Sequence, residues 1–266
     1  MDSLALYFRY VALSMRAQLQ YRGALVMQSL GHLLITAIEF LGIWALFDRF
    51  GALAGWTLAE VAFFYGLADV TFALADGLTR GFDDVGGMVR RGDFDRLLLR
   101  PRSTVLQLLG EELGLKRAGR LLQGTVVLVW AARAAGVELG AANVGLALFA
   151  VAGGVALFFG LIVLQATSTF WTTDTLEVWA ALTNGGTYVA QYPLTIYRPW
   201  FRRFFTLVVP VACVVYLPGV AVLGRPDPLG APFVVQCLAP LAGFLFLAVA
   251  LRVWRLGLRH YASTGS

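Results

Sequence analysis

Apolar runs long enough to cross a bilayer recur along the chain, separated by short polar segments. Residues 24–47 form the first. Coiled as a helix they would rise about 36 Å, enough to cross a hydrocarbon core of about 30 Å with some tilt. Residues 58–75, 118–136, 144–171 and 232–251 give four more runs of this kind. Segment 1–22 is different: Leu4, Phe8, Val11, Met15 and Leu19 recur at three- and four-residue spacing, while Arg9, Arg16 and Gln20 fall on other faces. That pattern predicts a helix lying in the interface plane, with the first turns of a longer membrane helix as the plainer reading. Arg9 and Arg16 interrupt it too early for a cleavable signal peptide.

Residues 172–231 allow two arrangements. In one, 204–223 crosses the membrane as the fifth span, which hydropathy prefers. In the other, 172–192 is the fifth span, and 193–231 dips into the outer leaflet and returns. Asn184, Gly185, Gly186 and Thr187 make 172–192 unattractive to lipid but suitable for a helix packed at a subunit interface or lining a route. Pro193, Pro199, Pro210 and Pro218 divide the following stretch too often for a straight span. Parity also matters, because making both segments full spans would place Arg252, Arg255 and Arg259 outside. Either arrangement gives six spans, and on the residues alone both stay open.

Charge then sets orientation. Arg9, Arg16 and Arg22 flank the first span, and Arg252, Arg255 and Arg259 follow the last. Loop 77–117 carries Arg80, Arg90, Arg91, Arg96, Arg100, Arg102, Lys116 and Arg117, whereas 48–57 and 137–143 hold only Arg49. Positive residues concentrate on the cytoplasmic side, so both termini and loop 77–117 are expected there.

Composition agrees with the membrane class: 59% of the 266 residues are hydrophobic, 14% are charged, and mean hydropathy is +0.73. The net charge of +5 is spread along the flanks of apolar segments, unlike the single basic stripe of a nucleic-acid binder. Cys213 and Cys237 lack metal or redox spacing and read as small hydrophobes, and His32 and His260 form no metal motif.

Loop 77–117 gathers charges in a run, RRGDFDRLLLRPRS, at 90–103. Its punctuation predicts two short helices: Asp84 caps a segment ending at Arg90 and Arg91 with Gly92 as the stop, and Asp93 caps Phe94 to Arg100, closed by Pro101. Phe94 and Leu97–Leu99 give the second piece an apolar side, leaving Asp95, Arg96 and Arg100 for water or a partner. An ordinary inside loop lying on anionic headgroups accounts for the arginines, but less well for Asp93 and Asp95.

The interfacial first segment, the loop with GDFDRLLLRP and the later YPLTIYRPWFRRFFTLVVPVACVVYLP together resemble an ABC-2 type permease, of the group described as ABC-2 family transporter proteins. The resemblance covers nearly the whole chain; GDFDRLLLRP and the YPLTIY segment are its more specific parts. It implies an all-α membrane subunit of an ATP-driven exporter, with six spans of which 172–192 is the fifth, and with 193–231 as a re-entrant external segment before the last span. Residues 1–22 would be the elbow helix, and Asp93, Phe94, Asp95, Arg96, Leu97, Leu98 and Arg100 would form a coupling helix seated on a nucleotide-binding subunit. It also implies pairing with a second copy or a related permease, and a pathway between the two lined by the first, second and fifth spans.

The chain itself offers no nucleotide site. It has no G-x-x-x-x-G-K-[ST] run, and Lys116 is its only lysine, so ATP and magnesium would belong to the partner ATPase. Nor does it contain a nucleophile elbow or a zinc-protease helix, so no catalytic residue is assigned. Ionisable groups inside spans are costly and therefore mark sites. Glu39 and Asp69 are such groups and, with Asn184 and Tyr188, are the candidates for the pathway or a subunit interface; Asp76 lies nearer the end of its span. An ATP-independent secondary transporter or channel is the alternative function. No internal repeat supports it, and a membrane anchor is a third reading.

Overall fold

The computed structural model describes residues 3–112, 114–172 and 177–261, with side chains from residue 12 onward. Leu4, Phe8, Arg9 and Val11, on which the amphipathic reading of the first segment partly rests, have side chains outside the described residues. So has part of the expected span 172–192, at 173–176.

The described chain is helical. Helix α1 (Ser3–Gln20) breaks at Tyr21 and passes into α2 (Arg22–Phe50). A short loop leads to α3 (Leu58–Leu78), whose start is fixed by a capping box: the Thr57 hydroxyl accepts from the Glu60 amide, and Glu60 accepts from the Thr57 amide at 2.8 Å. Three short helices follow, α4 (Val85–Arg91), α5 (Phe94–Leu98) and α6 (Thr104–Glu111). Next come α7 (Ala118–Ala134), α8 (Ala141–Thr172) and α9 (Glu177–Ala190). The remainder is broken: α10 (Pro199–Arg203), π-helical turns at Phe204–Val208 and Ala212–Tyr216, α11 (Leu217–Val222), α12 (Phe233–Leu238) and finally α13 (Leu241–His260).

Helix α3 is the axis of the bundle. Almost every residue from Val61 to Asp76 is buried, covered by α7, α8 and α9. Its contact with α7 is close because Gly66 has no side chain; a Cβ there would stand 2.7 Å from the Leu128 amide nitrogen. Helices α8 and α13 meet in the same way at Gly153 and Gly243, where a Cβ on Gly243 would overlap the Gly153 carbonyl. Small residues let these backbones approach where lipid supplies no hydrophobic force between helices.

Helices α2, α3, α8 and α13 are each long and apolar enough to cross a membrane. The segments Pro199–Val208 and Ala212–Val222 reach the same length only together, and they meet at 83°. A straight fifth span over 204–223 is thus not formed. Pro210 supplies no amide donor at the bend, and the chain turns there instead of continuing. Helices α7 and α9, with 17 and 14 residues, are shorter than the four long ones. The expected last span at 232–251 is also displaced. Pro240 divides it into α12 and α13, so the continuous helix runs from Leu241 to His260 and includes Arg252, Arg255 and Arg259.

The bundle has two ends, the loop end, with the α2–α3 loop, and the hairpin end, with α4 to α6. Segment 193–231 begins and finishes at the loop end. The Trp56 indole donates to Thr195 Oγ1 at 2.9 Å, just after α9. Thirty residues later Arg225 reaches the same ring, donates to both Glu60 carboxylate oxygens at 2.7 and 2.8 Å, and donates to the Gly55 carbonyl at 2.8 Å. Tyr216, inside the segment, donates to Asp227, two residues past Arg225, at 2.7 Å.

Candidate functional site

Two constellations carry charge in a way that packing alone does not require. One lies at the hairpin end. Gly92 ends α4 in the left-handed conformation, φ +71°, so the stop is where the sequence placed it. Asp84 and Asp93 do occupy the positions before α4 and α5, but neither side chain caps its helix. Both carboxylates turn to Arg91 instead, at 2.7 and 3.1 Å, and Asp93 also pairs with Arg96 at 3.5 Å. These bonds hold the Arg91 guanidinium above its ordinary value. Helix α5 ends at Leu98, two residues before the expected Arg100.

The apolar residues of α5 are divided between two surroundings. Phe94 is buried in an aromatic group with Phe170 at 5.2 Å, Tyr261 at 5.3 Å and Trp254 at 6.3 Å, and Leu97 is buried beside it. They fasten α5 to the ends of α8 and α13. Gln107 secures the following turn, donating to the carbonyls of Leu97 at 3.1 Å and Arg102 at 3.3 Å. Leu98 and Leu99 point away, with Leu99 84% exposed and the Arg96 side chain 81% exposed. Asp95 is partly covered and Arg100 is exposed. A hollow of about 470 Å³ lies beside this surface among α1, α4, α5 and α6, walled by Asp84, Arg91, Asp93, Arg96, Arg100 and Glu111.

The second constellation lies within the bundle. Asp69 is 0% exposed, and its Oδ1 accepts from Arg120 at 2.7 Å and from Gln191 at 3.2 Å. The Arg120 guanidinium is in turn stacked 4.8 Å over the Phe72 ring. Seven residues along α3, Asp76 pairs with Arg117, which also meets His32 of α2 at 3.1 Å. Asp69 and Asp76, seven residues apart on α3, thus face Arg120 of α7 and Arg117 just before it, forming two ionic rungs between antiparallel helices. Glu39 of α2 accepts from the Tyr188 hydroxyl of α9 at 3.3 Å. One turn away, the Thr36 carbonyl accepts from Tyr65 at 2.8 Å. Asn184 is exposed on α9 and lines a hollow of about 180 Å³ with Asp76, Asp83, Arg117 and Gln165.

Thus Glu39 and Tyr188, singled out separately in the sequence, touch one another. Asp69 and Asn184 lie nearby on α3 and α9 without direct contact to that pair. Sequence reading missed Arg120 and Gln191, the partners of Asp69, and the Glu60–Arg225 clasp. Arg120 had a visible signal: it lies inside a run read as a span, yet it follows Lys116 and Arg117 closely enough to pass for loop charge. Gln191, 122 residues from Asp69, offered none.

A family model described as "ABC-2 family transporter protein" matches residues 33–265 of the chain. No curated protein and no solved structure shows significant similarity to it.

Proposed function

Because the chain belongs to the ABC-2 family transporter proteins and is thereby an integral membrane permease component, we propose that it is the membrane-spanning subunit of an ATP-driven exporter. A separate nucleotide-binding subunit would supply the ATP and magnesium chemistry. The observation that carries the coupling half of this reading is the split of α5: Phe94 and Leu97 weld it to α8 and α13, while Arg96, Leu98 and Leu99 face outward. A short helix gripped from behind and bare in front transmits displacement. Movement of an ATPase seated on its outer side would pass through Phe94 to the Phe170–Trp254 group and so to two long membrane helices. Asp93, Asp95 and Arg100 then belong to the same docking region, with α1 as the elbow helix beside it.

In this reading the hairpin end is cytoplasmic, as are both termini, and the loop end is outside. The membrane is crossed six times, by α2, α3, α7, α8, α9 and α13, with the short α7 and α9 extended by the turns that flank them. Segment 193–231 enters and leaves on the outer side. This is supported by Trp56, which meets Thr195 at the entry and Arg225 at the return. Two permeases pair, as two copies or as this chain with a relative, and substrate crosses by alternating access along a route to which Glu39, Asp69, Asn184 and Tyr188 contribute. Affinity purification of the tagged chain from its native membrane tests the first requirement. An ABC ATPase should be recovered with it in stoichiometric amount, and recovery of the permease with no ATPase would contradict the assignment.

A further inference from the structure

At the hairpin end, α6 and α13 enclose another hollow, about 370 Å³ in volume. Its polar part is built from Arg102, Ser103 and Arg255, and its apolar part from Val105, Leu251 and Leu258. No carboxylate lines it, in contrast to the hollow beside α5, where Asp84, Asp93 and Glu111 stand among the arginines. Arg102, Ser103 and Arg255 are exposed, yet the backbone that carries them is held. Gln107 donates to the Arg102 carbonyl at 3.3 Å, and the buried Trp254 indole donates to Thr104 Oγ1 at 3.0 Å, which ties the start of α6 to α13. Ser103 stands just before α6 but its side chain does not cap the helix, so its hydroxyl and the first-turn amides add donors to the two guanidiniums. Such a set suits the oxygens of a phosphate.

The helix that forms one wall indicates the kind of phosphate. Leu241, Phe244, Ala248, Leu251, Arg255 and Leu258 follow one another at three- and four-residue spacing and so share one face of α13. Leu241, Phe244 and Ala248 are exposed and Leu251 is partly so. An apolar stripe about 15 Å long therefore runs along the helix into the hollow. Because α13 is long and apolar enough to cross a membrane, that stripe meets acyl chains. A free phosphate would use the guanidiniums and leave the stripe idle, whereas a phospholipid uses both. With no carboxylate in the lining, a choline ammonium would find no partner there, so the headgroup that fits is anionic.

We propose that this hollow is a specific site for an anionic phospholipid, whose phosphate is held by Arg102 and Arg255 and whose acyl chain lies along Leu251, Ala248 and Phe244. Trp254 belongs to the same wall and also packs against Phe94, so the lipid braces α6 against α13 beside α5. The site goes beyond the permease reading and needs only a membrane-embedded chain, so its failure would leave that reading untouched. The full chain in detergent micelles is titrated with dioleoylphosphatidylglycerol, and with dioleoylphosphatidylcholine as the matched zwitterionic lipid, and bound lipid is counted by native mass spectrometry. Phosphatidylglycerol should saturate one tight site per chain that phosphatidylcholine leaves empty and that millimolar inorganic phosphate does not clear. Arg102→Gln combined with Arg255→Gln should weaken it by about tenfold or more, the loss of two charge-assisted contacts. Arg252→Gln combined with Arg259→Gln removes as many guanidiniums from exposed positions of α13 that do not line the hollow, and should leave the affinity nearly unchanged. All four arginines are exposed, so both variants should melt like the parent without phosphatidylglycerol, and only the first should lose the stabilisation that this lipid confers. Equal affinity for the two lipids, equal loss in the two double variants, or displacement by inorganic phosphate would overturn the proposal. So would a first variant that keeps its lipid and loses its ATPase, because the hollow would then receive an acidic protein surface instead.

Discussion

The Arg225 guanidinium lies 4.2 Å from the centroid of the Trp56 ring. One residue returns the chain from the bent segment, and the other belongs to the short loop between α2 and α3. Since Trp56 also binds Thr195, the polypeptide leaves and comes back within reach of a single indole. The excursion thus starts and ends at one end of the bundle, and it carries Arg198, Arg202 and Arg203 with it.

Topology follows as the first prediction. In a Cys213→Ala, Cys237→Ala background, single cysteines at Arg198 and Arg203 should react with an impermeant thiol reagent applied to intact cells. Both positions are exposed. Labelling only after permeabilisation would place the segment inside and contradict the re-entrant reading, despite the usual bias of arginine toward the cytoplasm.

The Asp69–Arg120 pair should behave as a buried bridge. Asp69→Asn keeps a group for Gln191 but strands the Arg120 guanidinium, and Arg120→Gln strands Asp69. Each single change should cost about 3–5 kcal/mol, and the double change markedly less, because neither leaves an unpaired charge when made together. Thermal unfolding of the detergent-solubilised protein reads this out. Additive losses would show that the two residues do not act as a pair.

Phe94 and Leu99, five residues apart, should fail in different ways. Phe94→Ala removes a ring from the Phe170–Trp254–Tyr261 group and should destabilise the protein by about 3–5 kcal/mol. Leu99→Ser alters a residue that touches water and should change stability by no more than about 0.5 kcal/mol, yet weaken recovery of the ATPase. Pull-down alongside thermal unfolding separates the two effects; a Leu99→Ser protein that melts early would show that the side chain is not free in the way described.

Much of this was legible in the residues. Hydropathy located α2, α3 and α8 closely, and Gly92 marked the hinge of the hairpin because an αL stop favours glycine. Four prolines foretold that 193–231 would not be a straight span. What was hidden depended on tertiary packing. Asp84 and Asp93 stand where caps belong, but Arg91 outcompetes the helix amides for their carboxylates. Pro240 lies inside the span expected at 232–251, although a residue with no amide donor and a fixed φ is ground to begin that helix after it. The partition of Phe94 and Leu97 from Leu98 and Leu99 could not be read from a five-residue helix, since α8 and α13, which receive Phe94, lie far away in sequence. Asp69 was visible as a costly charge, but its pairing with Gln191 required the fold.

In the proposed mechanism α5 is the mechanical link to an ATPase. Leu98→Pro tests it most directly, since proline in that helix removes an amide donor and costs about 3 kcal/mol locally while leaving the membrane helices intact. Measured on the reconstituted complex at normal subunit stoichiometry, substrate-stimulated ATP hydrolysis and export should both fall to background in this variant, with the permease still inserted. Stimulation that survives Leu98→Pro undiminished would contradict the assignment of α5 as the coupling helix.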